Sequence, residues 1–420
     1  MSYVNFTDAL GNNFIDALDY QFMVRGVNFS KRGFIHSDDL KTALLSPAVS
    51  YTFHFYNLHE DESIREDLSQ YLLEGGELSI QYQDGIRRKL SLSLSNSKNW
   101  IPHPFKGFLW KGSKFKLEIG VNIASVEYIY PAGVFVLQNF NISEGIRNGK
   151  IDMELVDKFG NLDGSVGGKI IEPVDITVGS NIRDLIFSLL RGEKIHGYYI
   201  DNKKPIFPSS LIHSLTPFSI FENSESTVGA LISKLATIVN LNVFYDENGR
   251  MCFEEMQENM LYNSASSIWS FDSSFPRFKI ASANIDFQKV ENIVVVEGAN
   301  INGSVCRATS ENTNPKSPTN TSMFEPNPYK VTDENIADYN SAKVRADYEL
   351  FKRSLIPVSI SIDSVLIPSL DVNTVINITD KKWGFMNERF LINSISIPIS
   401  RTPNMNIQAA NLEEVAFSEL

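Results

Sequence analysis

Two pairs of glutamates are the obvious candidates for acid–base chemistry in this sequence. Glu254 and Glu255 are adjacent, and Glu222 precedes Glu225 by three residues. Paired carboxylates can cleave glycosidic bonds, one acting as acid and the other as nucleophile or base. Glu254 and Glu255 fall in a predicted strand, where consecutive side chains point to opposite faces of the sheet. We therefore interpret both pairs as solvated acids and predict no catalytic residue.

The histidines and cysteines form no recognisable metal or nucleophile motif. His54 and His59 are five residues apart, which does not place them on one helical face as a zinc pair requires. Cys252 and Cys306 have no Cys-x-x-Cys spacing and no nearby histidine in the sequence, although proximity in the fold stays open. We predict reduced cysteines, no metal and no cofactor. The histidines are His36, His54, His59, His103, His196 and His213.

A glycine-rich segment, Gly164–Gly168, resembles a phosphate-binding loop only loosely. It lacks the Gly-Lys-Ser/Thr ending, and its spacing does not fit the dinucleotide-binding pattern. We interpret these residues as turn glycines.

Composition predicts two to three globular domains. The chain has 420 residues, of which 43% are hydrophobic and 21% charged, and single cores stop growing at roughly 250–300 residues. The formal net charge of −12 and the absence of a basic stripe argue against binding to a phosphate backbone. An acidic surface instead suits a wall past which nucleic acid slides. Reduced cysteines, the lack of a signal peptide and the lack of a long apolar run predict assembly in the cytoplasm without membrane insertion.

Residues 46–172 predict a first β domain. Leu78–Gln83 leads into Asp84-Gly85, a two-residue hairpin signal because both turn positions favour positive φ. Alternation on the return strand places Arg88 on the face of the leucines and Arg87 on the opposite, polar face. The other predicted strands are 115–119, 126–130, 134–137 and 150–156, with a turn at 131–133. This spacing is typical of a barrel or sandwich.

Residues 173–265 predict a small α+β insert, and residues 266–400 predict a second β domain. In the insert, Ser180 is a candidate cap for a helix over 181–191 that Gly192 ends, and an Asn248-Gly249 turn joins two strands. The second β domain has a long polar loop at 307–328, a helix at 336–355 and strands from 358 onward. Residues 1–45 are an N-terminal arm, a helix or part of the barrel, and residues 401–420 are a C-terminal tail.

Several segments are similar, in order and spacing, to known phage proteins. In the first β domain they are Asp84–Leu94, Tyr130–Leu137 and Val156–Gly164. In the C-terminal part they are Glu291–Gly298, Thr313–Thr319, Ala342–Tyr348, Ile367–Val372 and Phe390–Ile399. The former resemble the N-terminal domain of baseplate proteins of phages of Gram-positive hosts. The latter resemble the tail hub family, which includes the central hub of contractile-tail baseplates and the hub part of type VI secretion spikes.

The resemblance implies a mainly β fold with two tube-type β domains and a small α+β insert between them. It also implies a non-enzymatic homotrimer, in which three chains present six similar modules to a hexameric tail tube. The expected neighbours are the tail tube or distal tail ring, the tape measure protein and the spike or tip protein, and DNA would pass without specific binding. The family's Pro-Gly-Asp turn before a strand like that at 375 is replaced here by Ser369-Leu370-Asp371, without the glycine.

Some alternatives stay open from the sequence. We interpret Arg87 and Arg88 as strand residues of which one faces solvent, rather than as partners in ion pairs between subunits. The loop at 307–328 either docks a partner, becoming ordered only in the assembled tail, or is disordered. For the whole chain, the alternatives to a tail hub are a receptor- or carbohydrate-binding tail-tip protein and a cell-wall hydrolase.

Overall fold

The computed structural model of this protein divides into two compact units with interleaved segments. Unit 1 contains residues 1–256, 364–372 and 394–405, and unit 2 contains residues 257–363, 373–393 and 406–420. The predicted first β domain and nearly all of the predicted insert therefore lie in unit 1. The structure describes residues 28–30, 33–35, 44, 49–103, 107–123, 126–143, 149–192, 201, 203–217, 219–239, 241–255, 267–272, 275, 277–301, 304–315, 317–333, 336 and 339–412.

The chain is mainly β, as predicted. The strands before residue 256 are β1 Asn28–Ser30, β2 Gly33–Ile35, β3 Ser50–Leu58, β4 Ile64–Asp67, β5 Glu77–Gln81, β6 Arg88–Ser95, β7 Lys114–Ile123, β8 Val126–Ser143, β9 Lys150–Asp157, β10 Val174–Ile176, β11 Ile220–Glu222, β12 Leu241–Tyr245 and β13 Met251–Glu255. The later strands are β14 Trp269–Asp272, β15 Lys279–Ile285, β16 Ile293–Ile301, β17 Ser304–Glu311, β18 Pro328–Thr332, β19 Val358–Val365, β20 Val375–Asp380, β21 Phe385–Pro398 and β22 Asn404–Asn411. The helices are α1 Ile182–Leu190, α2 Val228–Thr237 and α3 Tyr339–Arg353.

The main sheet of unit 1 is an antiparallel array in the order β5-β6-β9-β8-β7-β3-β4. Residues 394–398 of β21 add to its β5 edge. On β6, Leu90, Leu92 and Leu94 are buried, as the alternation predicted. The opposite edge, β4, is short and carries the charged residues of Ile-Arg-Glu-Asp, a composition that discourages uncontrolled strand addition.

The predicted turn at residues 131–133 is wrong, because this segment lies inside the 18-residue strand β8. The register against β7 shifts between Leu117 and Glu118, where Pro131 and Gly133 lie opposite. A β-bulge of this kind accommodates a proline that lacks an N–H donor. A Cβ at Gly133 would lie 2.5 Å from the Phe135 ring, so the glycine allows the bulge to pack. Pro and Gly therefore mark a bulge here rather than a chain reversal.

The predicted β5–β6 hairpin is confirmed, but its two-residue turn is not. Residues 82–87 connect the strands, and the Gln81 N–H donates to the Arg87 carbonyl at 2.9 Å. Gly85 has a φ of 82°, and Asp84 and Gly85 bond to Val243 of the insert, with Asp84 Oδ1 accepting from its N–H at 2.7 Å. The larger loop exists because Asp84-Gly85 binds a neighbouring strand instead of closing the turn.

The insert in unit 1 packs α1 and α2 with the β12–β13 hairpin around an apolar core. Asn181 caps α1, its Oδ1 accepting from the Asp184 N–H at 3.1 Å, so the predicted cap at Ser180 is one residue too early. Gly192 follows the end of α1 with a φ of 69°, as expected for a helix-ending glycine. Thr227 caps α2 through a bond from the Ala230 N–H.

Unit 2 contains a sheet in the order β15-β19-β22-β21, with β20 on β21 and β14 parallel to β20. A separate three-stranded sheet, β17-β16-β18, packs against α3. The core of this layer pairs Val294, Val296 and Ala308 with Ala342 and Ala346 of the helix. Small residues on the helix let its backbone approach the sheet closely.

The predicted loop at 307–328 is shorter than expected, because β17 extends to Glu311 and β18 begins at Pro328. Its described residues have an internal hydrogen-bond network, and the expectation that the loop docks a partner in an assembled tail stays a prediction. Asn312 Nδ2 donates to Thr319 Oγ1 at 2.9 Å, and Asn292 Nδ2 donates to the Thr319 carbonyl at 3.1 Å. Thr319 Oγ1 in turn donates to the Ser354 carbonyl at 2.6 Å. Buried amides thus replace the apolar core that this segment lacks.

The predictions for the two ends of the chain have different outcomes. The predicted C-terminal tail at 401–420 contains strand β22. Of the predicted N-terminal arm at 1–45, the structure describes only residues 28–30, 33–35 and 44. The rest of the predicted arm lies outside the described residues. None of the described helices is long and apolar enough to cross a membrane.

Candidate functional site: a buried charge network

Arg87 and Arg88, at the start of β6, are both buried, with side chains 2% exposed. Arg87 Nη2 lies 2.5 Å from Glu254 Oε1, and its guanidinium carbon lies 3.5 Å from the centre of the Phe244 ring. Arg88 Nη2 lies 2.5 Å from Asp371 Oδ2. The interpretation that one of the two arginines faces solvent is therefore wrong. The ion pairs of both arginines lie within unit 1.

Asp157, the last residue of β9, holds the backbone of the two arginines. Its Oδ2 accepts from the N–H groups of Arg87 at 2.7 Å and Arg88 at 2.9 Å, and its Oδ1 accepts from the Phe159 N–H at 3.0 Å. Burial raises the pKa of Asp157 to about 6, despite these hydrogen bonds to its charged form. The carboxylate is a structural acceptor for three amides that would otherwise be unpaired.

Lys158, the next residue, is fully buried at the centre of a second cluster. Its Nζ lies 2.5 Å from Glu62 Oε1 and 2.7 Å from Asp201 Oδ1, and donates to the Gly249 carbonyl at 2.9 Å. The Tyr245 hydroxyl donates to the other oxygen of Asp201 at 2.8 Å. The network therefore joins the sheet to the insert through two adjacent residues of one strand end.

Glu62 anchors this cluster from the turn between β3 and β4. It adopts a left-handed φ of 65°, which is uncommon for a non-glycine residue. Its Oε2 lies 2.8 Å from Lys203 Nζ, and its Oε1 lies 3.7 Å from Lys114 Nζ. Burial raises the pKa of Glu62, but Lys158 and Lys203 outweigh burial, so the pKa lies below its ordinary value. The carboxylate stays charged between its lysines.

Close backbone contacts position the network. A Cβ at Gly229, in the first turn of α2, would lie 2.8 Å from the Phe159 ring and 3.0 Å from the Leu162 carbonyl. A Cβ at Gly249 would lie 2.7 Å from Val134. The Gly229 N–H donates to the Leu162 carbonyl at 2.7 Å. These glycines let the insert approach the sheet closely enough for the buried ion pairs to form.

The described contacts of the network are ion pairs and hydrogen bonds that hold buried side chains in place. Each of its buried cations, Arg87, Arg88 and Lys158, lies against at least one carboxylate. Buried ion pairs add little net stability relative to apolar packing, but loss of one partner leaves an uncompensated buried charge and costs about 3–5 kcal/mol. Such a network specifies one docking geometry and penalises others.

The other residues singled out from the sequence do not join this network as a reactive site. Glu254 is not a solvated acid, because its side chain is 5% exposed and pairs with Arg87, and Glu222 pairs with Lys234 at 2.7 Å. His54 Nε2 lies 2.8 Å from Glu127 Oε1. Among the described residues, no group of three or more His, Cys, Asp or Glu side chains is placed to hold a metal. His36 and His196 lie outside the described residues.

The cysteines and the glycine-rich segment also have structural surroundings. Neither cysteine forms a disulfide, and Cys252 is buried with its Sγ 3.7 Å from Asp246 Oδ2. Gly164 and Gly168 have φ values of 94° and 87°, and a Cβ at Gly168 would lie 2.4 Å from Leu162 Cα. The interpretation of this segment as turn glycines is confirmed.

The sequence did not predict the buried charge network, although several of its residues lie in the segments that resemble baseplate proteins. Asp84–Leu94 and Val156–Gly164 carry the resemblance to baseplate proteins, and they supply Arg87, Arg88, Asp157 and Lys158. The available signal was an unusual density of charge at two strand ends, where apolar alternation should continue. Their partners lie as many as 283 residues away, so spacing alone could not pair them.

The chain has the fold of phage tail proteins, which confirms the predicted resemblance at the level of the fold. It is similar to a 43 kDa tail protein of prophage MuSo2 from Shewanella oneidensis, with 11% identity, a TM-score of 0.56 and coverage of 87% of this chain and 100% of the other. A tail protein from Neisseria meningitidis MC58 gives 9% identity, a TM-score of 0.55 and coverage of 87% and 98%. A chain of the Francisella PdpA-VgrG complex gives 8% identity, a TM-score of 0.55 and coverage of 89% and 60%.

Comparisons at the level of sequence find nothing. No protein-family model matches the chain, and no curated protein matches it.

Proposed function

We propose that this protein is a structural, non-enzymatic hub or baseplate component of a phage or phage-like tail. Three copies form a pseudo-hexameric ring that connects the tail tube to the tip or spike and leaves a channel for DNA. Its neighbours are the tail tube or distal tail ring, the tape measure protein and the spike or tip protein. It belongs in the virion tail after assembly in the host cytoplasm.

The observation that carries this proposal is the extent of the fold similarity. The alignment covers 87% of this chain and the whole of the prophage tail protein from Shewanella oneidensis. The similarity therefore includes both β-rich parts and the insert, rather than one common barrel. A shared arrangement of this length supports a shared structural role in a tail.

The buried charge network supports a structural role. The side chains of Arg87, Arg88 and Lys158 form buried ion pairs, and each is at most 2% exposed to solvent. Side chains buried to this extent do not reach a substrate in solution. A subunit with one specified internal geometry suits a ring that must close with fixed angles between its copies.

The proposed threefold ring matches a hexameric tube because each chain is predicted to have two tube-type β domains, at 46–172 and 266–400. Three chains with two such domains each would present six modules to a hexameric tube. The net charge of −12 fits a channel that repels the DNA backbone and so lets it pass.

The mass and rotational symmetry of the purified protein test this function. Light scattering at micromolar concentration is expected to give three times the 47.3 kDa chain mass, and negative-stain class averages are expected to show a threefold ring with a central hole. A compact monomer at every concentration, with and without tail tube protein, would contradict the proposal. Binding to host cells would then favour the receptor-binding alternative, and clearing of purified cell walls in zymography would favour the hydrolase alternative.

A further inference from the structure

An amine and two carboxylates meet inside unit 1, where Lys158 lies between Asp201 and Glu62. Lys158 Nζ is 2.7 Å from Asp201 Oδ1 and 2.5 Å from Glu62 Oε1. The side chains of the lysine, the aspartate and the glutamate are 0%, 1% and 5% exposed. Groups held together in this way react as if each were present at about 10⁵–10⁸ M. The arrangement therefore favours condensation of the amine with a carboxyl group, because bulk water is excluded from the site.

The charges around Lys158 favour the neutral, nucleophilic form of its amine. Lys203 Nζ lies 2.8 Å and Lys114 Nζ lies 3.7 Å from the Glu62 carboxylate. With every group ionised, three lysines face two carboxylates, so the cluster carries one excess positive charge. Burial and the neighbouring Lys158 lower the pKa of Lys114. Repulsion between ammonium groups is mutual, and a desolvated lysine beside another cation is activated as a nucleophile.

Tyr245 and the backbone of Lys203 hold the Asp201 carboxylate in place. The Tyr245 hydroxyl donates to Asp201 Oδ2 at 2.8 Å, and the Lys203 N–H donates to Asp201 Oδ1 at 3.0 Å. The centre of the Tyr245 ring lies 5.2 Å from Lys158 Nζ. When an amine adds to Cγ, negative charge develops on the carboxyl oxygens, and a fixed hydroxyl donor stabilises it.

We propose that Lys158 and Asp201 condense to an intramolecular amide bond in the folded protein. Glu62 Oε1 accepts a proton from Lys158 Nζ, and the lone pair of the neutral amine attacks Asp201 Cγ. The Nζ–Cγ bond forms, the Cγ–Oδ1 bond breaks, and Oδ1 leaves as water. Two protons of the original ammonium leave with this oxygen, one of them returned by Glu62, and the third stays on the amide nitrogen. Glu62 ends in its starting state, so the step needs no co-reactant.

The bond would turn an ion pair at the end of β9 into a covalent link to residue 201, which is 43 residues away. Cross-links of this kind stabilise a protein mainly by restricting its unfolded chain. Condensation also removes one positive and one negative buried charge, while Glu62 keeps Lys114 and Lys203 as partners. The bond forms once per chain, so it is a modification of the protein and not turnover of a substrate. The inference does not depend on the proposed ring.

Intact mass spectrometry of the purified, denatured full chain tests the bond directly. After allowance for Met1, wild type is expected to be lighter than its sequence by the mass of one water molecule. Trypsin is expected to release a branched peptide that joins residues 151–169 to residues 195–203, because a lysine in an amide bond is not cleaved. The full sequence mass, together with a linear peptide 151–158, would overturn the inference.

Variants test the assignment of each group. Lys158→Arg keeps the cation but cannot condense, so it should show the full sequence mass. Glu62→Gln removes the proton acceptor, and the loss of water should slow by about 10²-fold or more. Circular dichroism checks that both variants fold, and the wild-type mass carries the test if either does not. Equal loss of water in wild type and in folded Glu62→Gln would overturn the proposed step.

The pair Lys234 and Glu222 is the internal control in the same digests. Its N–O distance is also 2.7 Å, but Lys234 is 47% exposed. We expect ordinary tryptic cleavage after Lys234 and no branched peptide from this pair. A loss of water that maps to this pair or to another site, with Lys158 cleaved normally, would overturn the assignment.

Discussion

Units 1 and 2 both pack helices against β-strands through apolar side chains, but among the described residues they differ in how their charged side chains are buried. In unit 1, fully buried cations at the ends of β6 and β9 tie the sheet to the insert. In unit 2, α3 lies on its three-stranded sheet through Val294, Val296, Ala342 and Ala346. The carboxylate of Glu349 on this helix is buried, but the cations of the helix's ion pairs are 28–44% exposed. Apolar packing tolerates small shifts, whereas a buried ion pair does not. The comparison indicates that unit 1 specifies the docking of its parts more strictly.

The largest expected effect comes from removing the central lysine of unit 1. Lys158→Met leaves Glu62 and Asp201 facing each other without their shared cation, so the free energy of unfolding should fall by about 3–5 kcal/mol. Guanidinium unfolding followed by circular dichroism measures it. Lys234→Met, which removes an exposed partner of Glu222, is the control and should cost less than about 1 kcal/mol. Equal losses of unfolding free energy in the two variants would contradict a special role for the buried ion pairs.

A double-mutant cycle on Arg87 and Glu254 separates the pair from its surroundings. Arg87→Met and Glu254→Met each remove one member of the buried ion pair, while the double variant removes both. We expect the double variant to be less destabilised than the sum of the singles, with a coupling of about 1–3 kcal/mol. Additive losses from the same unfolding measurements would show that the two side chains do not interact.

The pH dependence of unit 1 provides a third comparison. Burial and the neighbouring Asp246 carboxylate raise the pKa of Glu247 to about 8. Because the folded state binds this proton more tightly than the unfolded state, its contribution to stability is present below about pH 4.3 and is lost as the pH rises towards 8. The free energy of unfolding should fall between pH 6 and 8, with a slope of at most about 1.4 kcal/mol per pH unit. Glu247→Gln should flatten this slope, and parallel profiles would count against the assignment.

The smallest expected effect is on the surface of unit 2. Glu297 accepts from Arg307 and from Lys330 on the exposed face of the three-stranded sheet. Arg307→Ala and Lys330→Ala should each leave the free energy of unfolding unchanged within the error of the measurement, because exposed pairs are hydrated and screened by salt. A loss as large as that of Lys158→Met would remove the contrast between the units.

Local signals predicted much of the secondary structure. Alternation gave β6, and the candidate cap at Ser180 with the closing Gly192 predicted α1 to within one residue at each end, because these patterns depend on neighbours within a few residues. Alternation could assign Arg87 and Arg88 to opposite faces, but it could not show that the insert covers the face of Arg87. That burial depends on Glu254, which is 167 residues away. The bulge at Pro131 was misread for a similar reason, since its register is set by the facing strand.

The central claim is that the buried charges of unit 1 join the insert to the sheet as one cooperative structure. Native-state hydrogen exchange of wild type and Lys158→Met, read at the amides of β9 and of α1 and α2, tests it most directly. We predict that in wild type these amides share one opening free energy, and that in the variant the helices exchange faster while β9 keeps its protection. Helices that already open independently of β9 in wild type, or that exchange at an unchanged rate in the variant, would contradict the claim.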